Sequence, residues 1–398
     1  MFNKKNIFAT IIPILFLNFL YADTKTEDMY KQSKIFAQTI SIIQNSYVED
    51  VKSEDLIDGA LNGMVGKLDE YCQILDEKTF KEIQLETSGY FGGIGIRYET
   101  TKYKVKIIEI YENTPAEKSG ILKQDEIYSI DGEVLKDGLD FDKILAKIRG
   151  KIGTKIDIEI KRFNEKTKQS DLLKFKITRE NIKMSTVESK LLPDNAGNIG
   201  YIKVYEFTFA TKDEFDKKYK ELLDKGAKYL ILDLRDNPGG VFFGAIDIAK
   251  RFIGENKLIV STHGKDGAEN SQVYSADEKA GFDYLPLIVL VNKNSASSAE
   301  ILAGALKDHS SGILIGEKTF GKGCVQTLFE LDNRKGLRLT TAKYYTPSGE
   351  CIHKKGIDPN FVVQKILKQD DKDNVLDFAI QFCKTSQIWL NSNTKKKE

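Results

Sequence analysis

The sequence predicts a multidomain α/β chain: a helical N-terminal unit, a middle segment of short strands and two helices, and a βαβ-type core. Three observations carry this. Apolar residues recur at helical spacing within residues 27–85. Glycines cluster ahead of short apolar runs after residue 88. From residue 198 onward strand-like and helix-like segments alternate, the mark of βαβ units with right-handed crossovers. The chain's 398 residues, 41% hydrophobic and 10% aromatic, suffice for two or three packed domains and exclude wholesale disorder. With 30 glycines and 7 prolines it is neither collagen-like nor low-complexity. Its 60 basic and 59 acidic side chains leave a net charge of +1, which gives no electrostatic footprint for nucleic acid. The Lys395–Lys397 run reads as a solvated tail. Domain limits are expected at 1–22, 23–87, 88–180, 181–365 and 366–398.

Residues 1–22 read as a targeting segment. Lys4 and Lys5 form a basic start, Ile7–Leu20 is almost wholly apolar, and Tyr21-Ala22 precedes Asp23. That is the layout of a secretory signal peptide. An apolar run of about 14 residues is short of the roughly 20 that a membrane span needs. Leu20 stands where a small residue is preferred, so cleavage after Ala22 and retention as an anchor both stay open. Membrane association is expected only in the second case. The expected location is periplasmic. Cys72, Cys324, Cys351 and Cys383 are too few for a disulfide scaffold and fit no zinc spacing. Disulfides and free thiols remain equally open, and neither metal nor cofactor is expected.

Helices are expected over Tyr30–Tyr47 and Glu54–Leu68. In the second, Leu56, Ile57, Ala60, Leu61, Met64 and Val65 form one apolar face, with Ser53 as N-cap and Glu54 and Asp55 as first-turn acids. From residue 88 the character changes. Gly89, Gly92, Gly93 and Gly95 open a strand (Ile94–Tyr98), and a second strand (Val105–Tyr111) leads into ENTPAEKSGI. The segment Gln124–Leu135, a helix near Phe141–Ile148, and strands Ile156–Arg162 and Leu172–Thr178 complete the unit. Short strands around two short helices behind a glycine loop, with the phrases TPAEKSGI and DEIYSIDGE, resemble a PDZ domain. The resemblance implies a peptide-binding loop of Gly92, Gly93, Ile94, Gly95 and Ile96. There, backbone N–H groups meet a terminal carboxylate and the following strand pairs with the peptide.

In the core, strand Gly200–Tyr205 precedes helix Lys212–Leu223, strand Tyr229–Leu234 and helix Val241–Phe252. Strand Leu287–Asn292, helix Ser297–Lys307 and strand Gly312–Ile315 follow. A hairpin (Val325–Leu331, Leu337–Tyr345) and a terminal helix (Val375–Cys383) close the chain. Working groups in such sheets gather where strands end and helices begin, which singles out DLRDNPGG (Asp233–Gly240), NKNSASSAE (Asn292–Glu300) and GEKTFGKGCVQ (Gly316–Gln326). The helix after Ser297 descends about 17 Å. The next strand climbs back about 13 Å, so Lys322 can return to Ser297. A serine beside a buried, unprotonated lysine supports nucleophilic catalysis. The backbone N–H of Ser298, with that of Gly239 or Gly240, suits an oxyanion hole.

These phrases resemble the C-terminal processing peptidases, the tail-specific serine proteases. The family's SASASE pattern falls on Ser295–Glu300 and places the nucleophile on Ser297. Its TFGKGxVQ falls on Thr319–Gln326, with Lys322 as base and Gln326 orienting it. DLRDNPGG and YYTPSGECIHKKGIDP (Tyr344–Pro359) match as well. The resemblance implies a serine endopeptidase acting on protein or peptide substrates with accessible C-termini, and a homo-oligomer, a dimer. Here Ser298-Ala299 replaces the family's Ala-Ser, which leaves Ser298 as an alternative nucleophile, and Asn360 replaces an aspartate. Lys318 is the alternative base. Gly316–Lys322 nearly spells a phosphate-binding loop, but Gly323 follows in place of Ser or Thr, and a strand in place of a helix. His263, His309 and His353 lack triad phrases, and no G-x-S-x-G elbow exists. Glu300 and Asp308 read as capping and salt-bridge groups. The competing non-enzymatic reading is an inactive periplasmic PDZ scaffold.

Overall fold

A computed structural model describes residues 14–100, 104–135, 145–183, 185–192, 198–265, 271–276, 285–366 and 373–394. The chain divides into two compact units, Met1–Ile74 and Leu75–Glu398. In the first, α1 (Ile14–Ser46) extends well ahead of the expected Tyr30 start, and α2 spans Ser53–Val65. Ser53 is not the N-cap: it is the first helical residue, and Lys52 holds the cap position. Its hydroxyl instead accepts a hydrogen bond from Gln44 Nε2 at 2.7 Å. Residues 1–13 of the expected signal segment lie outside the described residues. Among the described residues, no helix is long and apolar enough to cross a membrane.

The second unit begins with α3 (Glu77–Thr87), which the periodicity reading did not resolve. The glycine-rich module follows with β1 (Tyr90–Gly93), β2 (Ile96–Thr100), β3 (Val105–Ile110), α4 (Pro115–Lys118), β4 (Glu126–Ile130) and β5 (Glu133–Val134). Next come β6 (Lys155–Asn164), β7 (Gln169–Thr178) and β8 (Glu180–Lys183). Strands β2-β3-β4-β6-β7 form one sheet with β5 beside β4, closed over a core that includes Ile94, Val105, Ile107, Ile127, Ile130 and Ile158. The expected strand Ile94–Tyr98 begins only at Ile96, because Gly95 turns the chain at φ +86°. Residues 136–144 of the expected second helix lie outside the described residues; Ala146–Ile148 form a 3₁₀ turn. β1 pairs antiparallel with β8, so the module's entry and exit are stitched together.

The core sheet is β9 (Val187–Leu192), β10 (Ile199–Val204), β11 (Tyr229–Asp233), β14 (Leu287–Val291), β15 (Ile313–Gly316) and β18 (Phe361–Val362), in that spatial order. Only β9–β10 is antiparallel; the other neighbours run parallel. β11 and β14 are buried along their whole length, as parallel strands covered on both faces must be. Alternation assigns Leu230 and Leu232 to the face carrying α5 (Thr211–Asp224), α6 (Phe242–Ala249) and α7 (Ser298–Asp308). Tyr229 and Ile231 meet Val375, Ala379 and Cys383 of α8 (Asn374–Thr394) on the other face. Arg235, just past β11, pins the start of α8 by pairing with both Asp233 (2.6 Å) and Asp373 (2.7 Å).

A second, antiparallel sheet runs β16 (Cys324–Glu330), β17 (Gly336–Tyr345), β12 (Leu258–Gly264), β13 (Gln272–Ser275). The hairpin β16–β17 falls where expected. Strands β12 and β13 were not anticipated; β12 pairs with β13 on one side and with β17, far along the chain, on the other. The carboxyl ends of β11, β14 and β15 bring the three singled-out loops to one edge of the parallel sheet.

Candidate active site

The loop after β14 is built on its own side chains. Ser295 is fully buried; its hydroxyl donates to Leu234 O at 2.8 Å and accepts from Asn292 N at 2.9 Å. Asn292 and Asn294 both donate to Asp236 Oδ1, at 2.9 and 2.7 Å. Burial works against that carboxylate, but these two donors outweigh it and hold Asp236 below the ordinary range. Across the gap Ala296 N donates to Asn237 O at 2.9 Å, while the buried Asn237 amide donates to Val204 O at 2.8 Å. The loops after β11 and β14 are thus one body.

On that body Ser297 sits at φ 54°, ψ −119°, a conformation strained for a residue with a side chain. It projects from the start of α7, half-buried. Ser298, 1% exposed, turns inward, and its hydroxyl donates to Gly240 O at 2.9 Å. Gly239 lies directly against this turn: a Cβ there would stand 2.7 Å from Ser297 Cβ and 3.0 Å from Ser298 N. Only glycine allows that approach. The Gly239 N–H, however, donates to Asn237 Oδ1 at 2.8 Å. Of the two glycines expected to serve an oxyanion, Gly239 thus packs against the turn with its N–H already bonded, while Gly240 accepts the Ser298 hydroxyl through its carbonyl.

The link to the lysine loop is Glu300, 0% exposed. Its Oε2 accepts from Ser297 N (3.0 Å) and Lys322 N (2.8 Å), and its Oε1 from Thr319 Oγ1 (2.5 Å) and Gly321 N (2.7 Å). Burial raises the Glu300 pKa and these four donors oppose it. Tyr344 closes the same joint from β17: its hydroxyl meets Ser297 O at 3.1 Å and also Lys322 O. The main chains of Ser297 and Lys322 are therefore bound together twice. The capping role expected for Glu300 is real but incomplete, since it reaches a second loop. Tyr344 was visible only as part of a matching phrase.

Lys322 is half-buried, and burial is the main cause of its lowered pKa; Cys324 opposes the shift and the Arg338 guanidinium adds to it. Gln326 Nε2 lies on Cys324 Sγ at 3.0 Å and near Thr340 Oγ1 at 3.4 Å, on the strand that carries Lys322 into the sheet. Lys318 pairs with Asp358 at 3.1 Å with 53% of its side chain exposed, which is the setting of a surface lysine. His309 Nε2 lies 2.6 Å from Leu258 O. Asp308 accepts from Ser348 N at 2.9 Å, and Asn360 from Leu314 N at 2.9 Å; both are structural ties. Among the described residues no group of three or more His, Cys, Asp or Glu could hold a metal ion.

In the glycine-rich module, Gly92 and Gly93 lie in β1, paired with Asn181 and Glu180 of β8, instead of in an open loop. Ile94 and Ile96 are buried in the module's core, and the carbonyls of Ile94 and Gly95 accept from Ala116 N and Tyr111 N. The five residues expected to form one peptide-binding loop thus divide into a paired strand, a turn and two core residues. Joining the module's entry to its exit is what draws the first two glycines into a strand.

Comparison with known proteins agrees with this architecture. Residues 198–363 match peptidase family S41, residues 92–188 the PDZ domain, and residues 20–79 the N-terminal domain of the activating protease CtpB. The carboxy-terminal-processing protease of Bartonella bacilliformis is 36% identical over 87% of this chain and 78% of that protein. The carboxy-terminal processing protease CtpA of Bacillus subtilis is 37% identical over 85% of this chain and 69% of that protein. A solved structure of a Bacteroides fragilis protein assigned to the S41 proteases covers 86% of this chain and 96% of its own, with TM-score 0.54 and 17% identity. At that identity the likeness is one of fold. The chain belongs to the carboxy-terminal processing proteases of peptidase family S41, serine proteases with a PDZ domain.

Proposed function

We propose that the protein is an exported endopeptidase that cleaves protein substrates near accessible C-termini through a Ser297–Lys322 dyad. The observation that carries this reading is the shared oxygen: the amides of Ser297 and Lys322 both bond to Glu300 Oε2. In this mechanism Ser297 Oγ attacks the peptide carbonyl while the neutral Lys322 amine takes its proton. The N–H groups of Ser298 and Gly240 receive the oxyanion. The resulting ammonium protonates the leaving amine, and water then releases the acyl group by the same relay. Gln326 orients the amine. The burial that lowers the Lys322 pKa supports its role as base, and the inward bond of Ser298 favours Ser297 as nucleophile. Periplasmic export rests on the basic and apolar layout of residues 1–22. An unfolded test protein should be cut by the wild type and left intact by Ser297→Ala; equal cutting by both would remove the assignment.

The PDZ module is proposed to bind the substrate tail and gate the active site. Support comes from its attachment, with β1 and β8 paired at its base and Arg97 of β2 bonded to Glu188 of β9. Replacing residues 94–179 by a flexible linker should change the maximal rate on saturating substrate. A tether that only concentrates substrate would leave that rate intact and weaken apparent affinity.

A further inference from the structure

The segment that leaves β10 runs beside the glycine pair at the end of the Asp233–Gly240 loop. Phe207 N donates to Gly239 O at 2.8 Å, and Phe207 O accepts from Val241 N at 2.7 Å. Phe207 and Gly240 thereby form an isolated parallel bridge. A trans peptide sets its N–H opposite its C=O. Because Gly239 O faces Phe207, the Gly240 N–H points away from Phe207. By the same rule Gly240 O points away, and there it accepts the Ser298 hydroxyl at 2.9 Å. Phe207 thus aims the Gly240 amide toward the start of α7. A Cβ on Gly240 would stand 2.1 Å from Phe207 O, so only glycine fits between them.

What holds Phe207 in place is Thr211, the first residue of α5 and 0% exposed. Its hydroxyl accepts from Thr208 N at 2.8 Å and reaches Glu206 O at 3.3 Å, so it grips both neighbours of Phe207. It also lies 2.7 Å from the hydroxyl of Thr186, on the chain leaving the PDZ module after β8. Thr186 is itself buried, and its N–H donates to Glu214 Oε2 of α5 at 2.8 Å. The chain entering the module touches the same segment, where Thr87 O accepts from Phe209 N at 3.3 Å. A turn ahead of α5 needs only the bond to Thr208 N; the contacts with Glu206 and Thr186 go beyond it.

We propose that Thr211 is a positioning residue for the reaction. Its hydroxyl fixes Phe207 against Gly239–Val241, and with it the Gly240 amide, and through Thr186 it joins that amide to the exit of the PDZ module. The inference rests on the proteolytic reading above, in which Gly240 receives the oxyanion.

The test compares, in the full chain, Thr211→Val, which keeps the shape without the hydroxyl, and Thr211→Ser, which keeps the hydroxyl. On a saturating unfolded test protein Thr211→Val should lower kcat about tenfold with KM little changed, and Thr211→Ser should recover most of the loss. A serine-directed phosphonate separates positioning from folding, since its attack by Ser297 also develops charge on oxygen. Labelling should slow in Thr211→Val while its final stoichiometry stays that of the wild type. Thr186→Val should lower kcat several-fold, and the double variant should be no slower than Thr211→Val, because the two hydroxyls act as one unit. If circular dichroism shows Thr211→Val unfolded, Thr186→Val decides alone. An unchanged kcat, a loss that Thr211→Ser does not recover, or labelling that stops short of wild-type stoichiometry overturns the positioning role and leaves the protease. Multiplying effects in the double variant overturn the link to the module. Absence of any Ser297-dependent cleavage overturns the proteolytic reading, and this inference with it.

Discussion

The Ser297–Lys322 corner and the PDZ module are held to the same core in opposite ways. At the corner, Ser297, Gly321 and Lys322 donate their amides to one fully buried carboxylate, and a buried tyrosine ties two of the same residues through their carbonyls. Hydrogen bonds to a buried charged group are worth about 1.5–3 kcal/mol each, enough together to hold the strained turn at Ser297. The module reaches the core through half-exposed groups: Arg97 pairs with Glu188 at 3.4 Å and with Glu109 at 2.8 Å, and lies 5.0 Å from the Tyr205 ring. Such pairs contribute about 0–1 kcal/mol. The corner is held by buried hydrogen bonds, the module by half-exposed side-chain pairs.

The sharpest way to break this contrast is at the base. Lys322→Met should lower kcat/KM by about 10⁴-fold or more, as removal of a proton acceptor in a unit that acts together does. The same variant should be more stable at neutral pH. The folded pKa of Lys322 is depressed, so its burial disfavours the folded state below that pKa, and the penalty disappears as pH rises through the unfolded lysine range. Thermal melts at pH 7 and above pH 11 check the sign: the stabilisation should be present at the first and absent at the second. Glu300→Gln comes next. Its amide nitrogen would face at least one backbone N–H donor wherever it pointed, and activity should fall about 10²-fold in kcat with KM little changed. If kcat holds, the carboxylate is not what sets the geometry. Tyr344→Phe removes one tie of the same joint and should cost about 1 kcal/mol, roughly fivefold in kcat.

How much of this was legible in the sequence depends on where the partner lay. Spans set by local pattern, such as α5, β11 and the β16–β17 hairpin, fall within a residue or two of expectation. Strands β12 and β13 do not announce themselves, because a short apolar run such as Leu258–Val260 becomes a strand only through pairing with Tyr274 and Ser275 of β13, and Ser261–Gly264 only through pairing with the distant β17. The nucleophile loop and the lysine loop were each readable as phrases, and returning helix and strand lengths permitted their meeting. What joins them was not readable: Glu300 looked like a first-turn cap, and nothing local shows that its second oxygen faces Thr319 and Gly321. Gly239 likewise read as an amide donor until Asn237 was seen to take its N–H.

Smaller effects sharpen the comparison further. Arg338 lies close enough to Lys322 to push its pKa down. Arg338→Met should therefore raise it, and the acid limb of the kcat/KM–pH profile should move to higher pH while the plateau is kept. An unmoved limb would mean that the titrating group is not Lys322.

The smallest expected effect lies at the module's attachment and bears most directly on gating. Arg97→Met keeps the aliphatic stem but removes both ion pairs, leaving Tyr205 bonded to Glu188 at 2.5 Å. Arg97 Nε is buried without a partner, so the guanidinium already carries an offsetting penalty and global stability should change by only about 0–1 kcal/mol. If the module gates the corner, loosening this joint shifts the balance between its positions. A shift of about 1 kcal/mol changes the population several-fold, and kcat on saturating protein substrate should follow, in either direction. A short peptide that does not engage the module should show the same change, because the balance belongs to the enzyme and not to the bound tail. If kcat is unchanged for both substrates while only the KM of the long one rises, the module is a tether, and the contrast between the two attachments has no catalytic consequence.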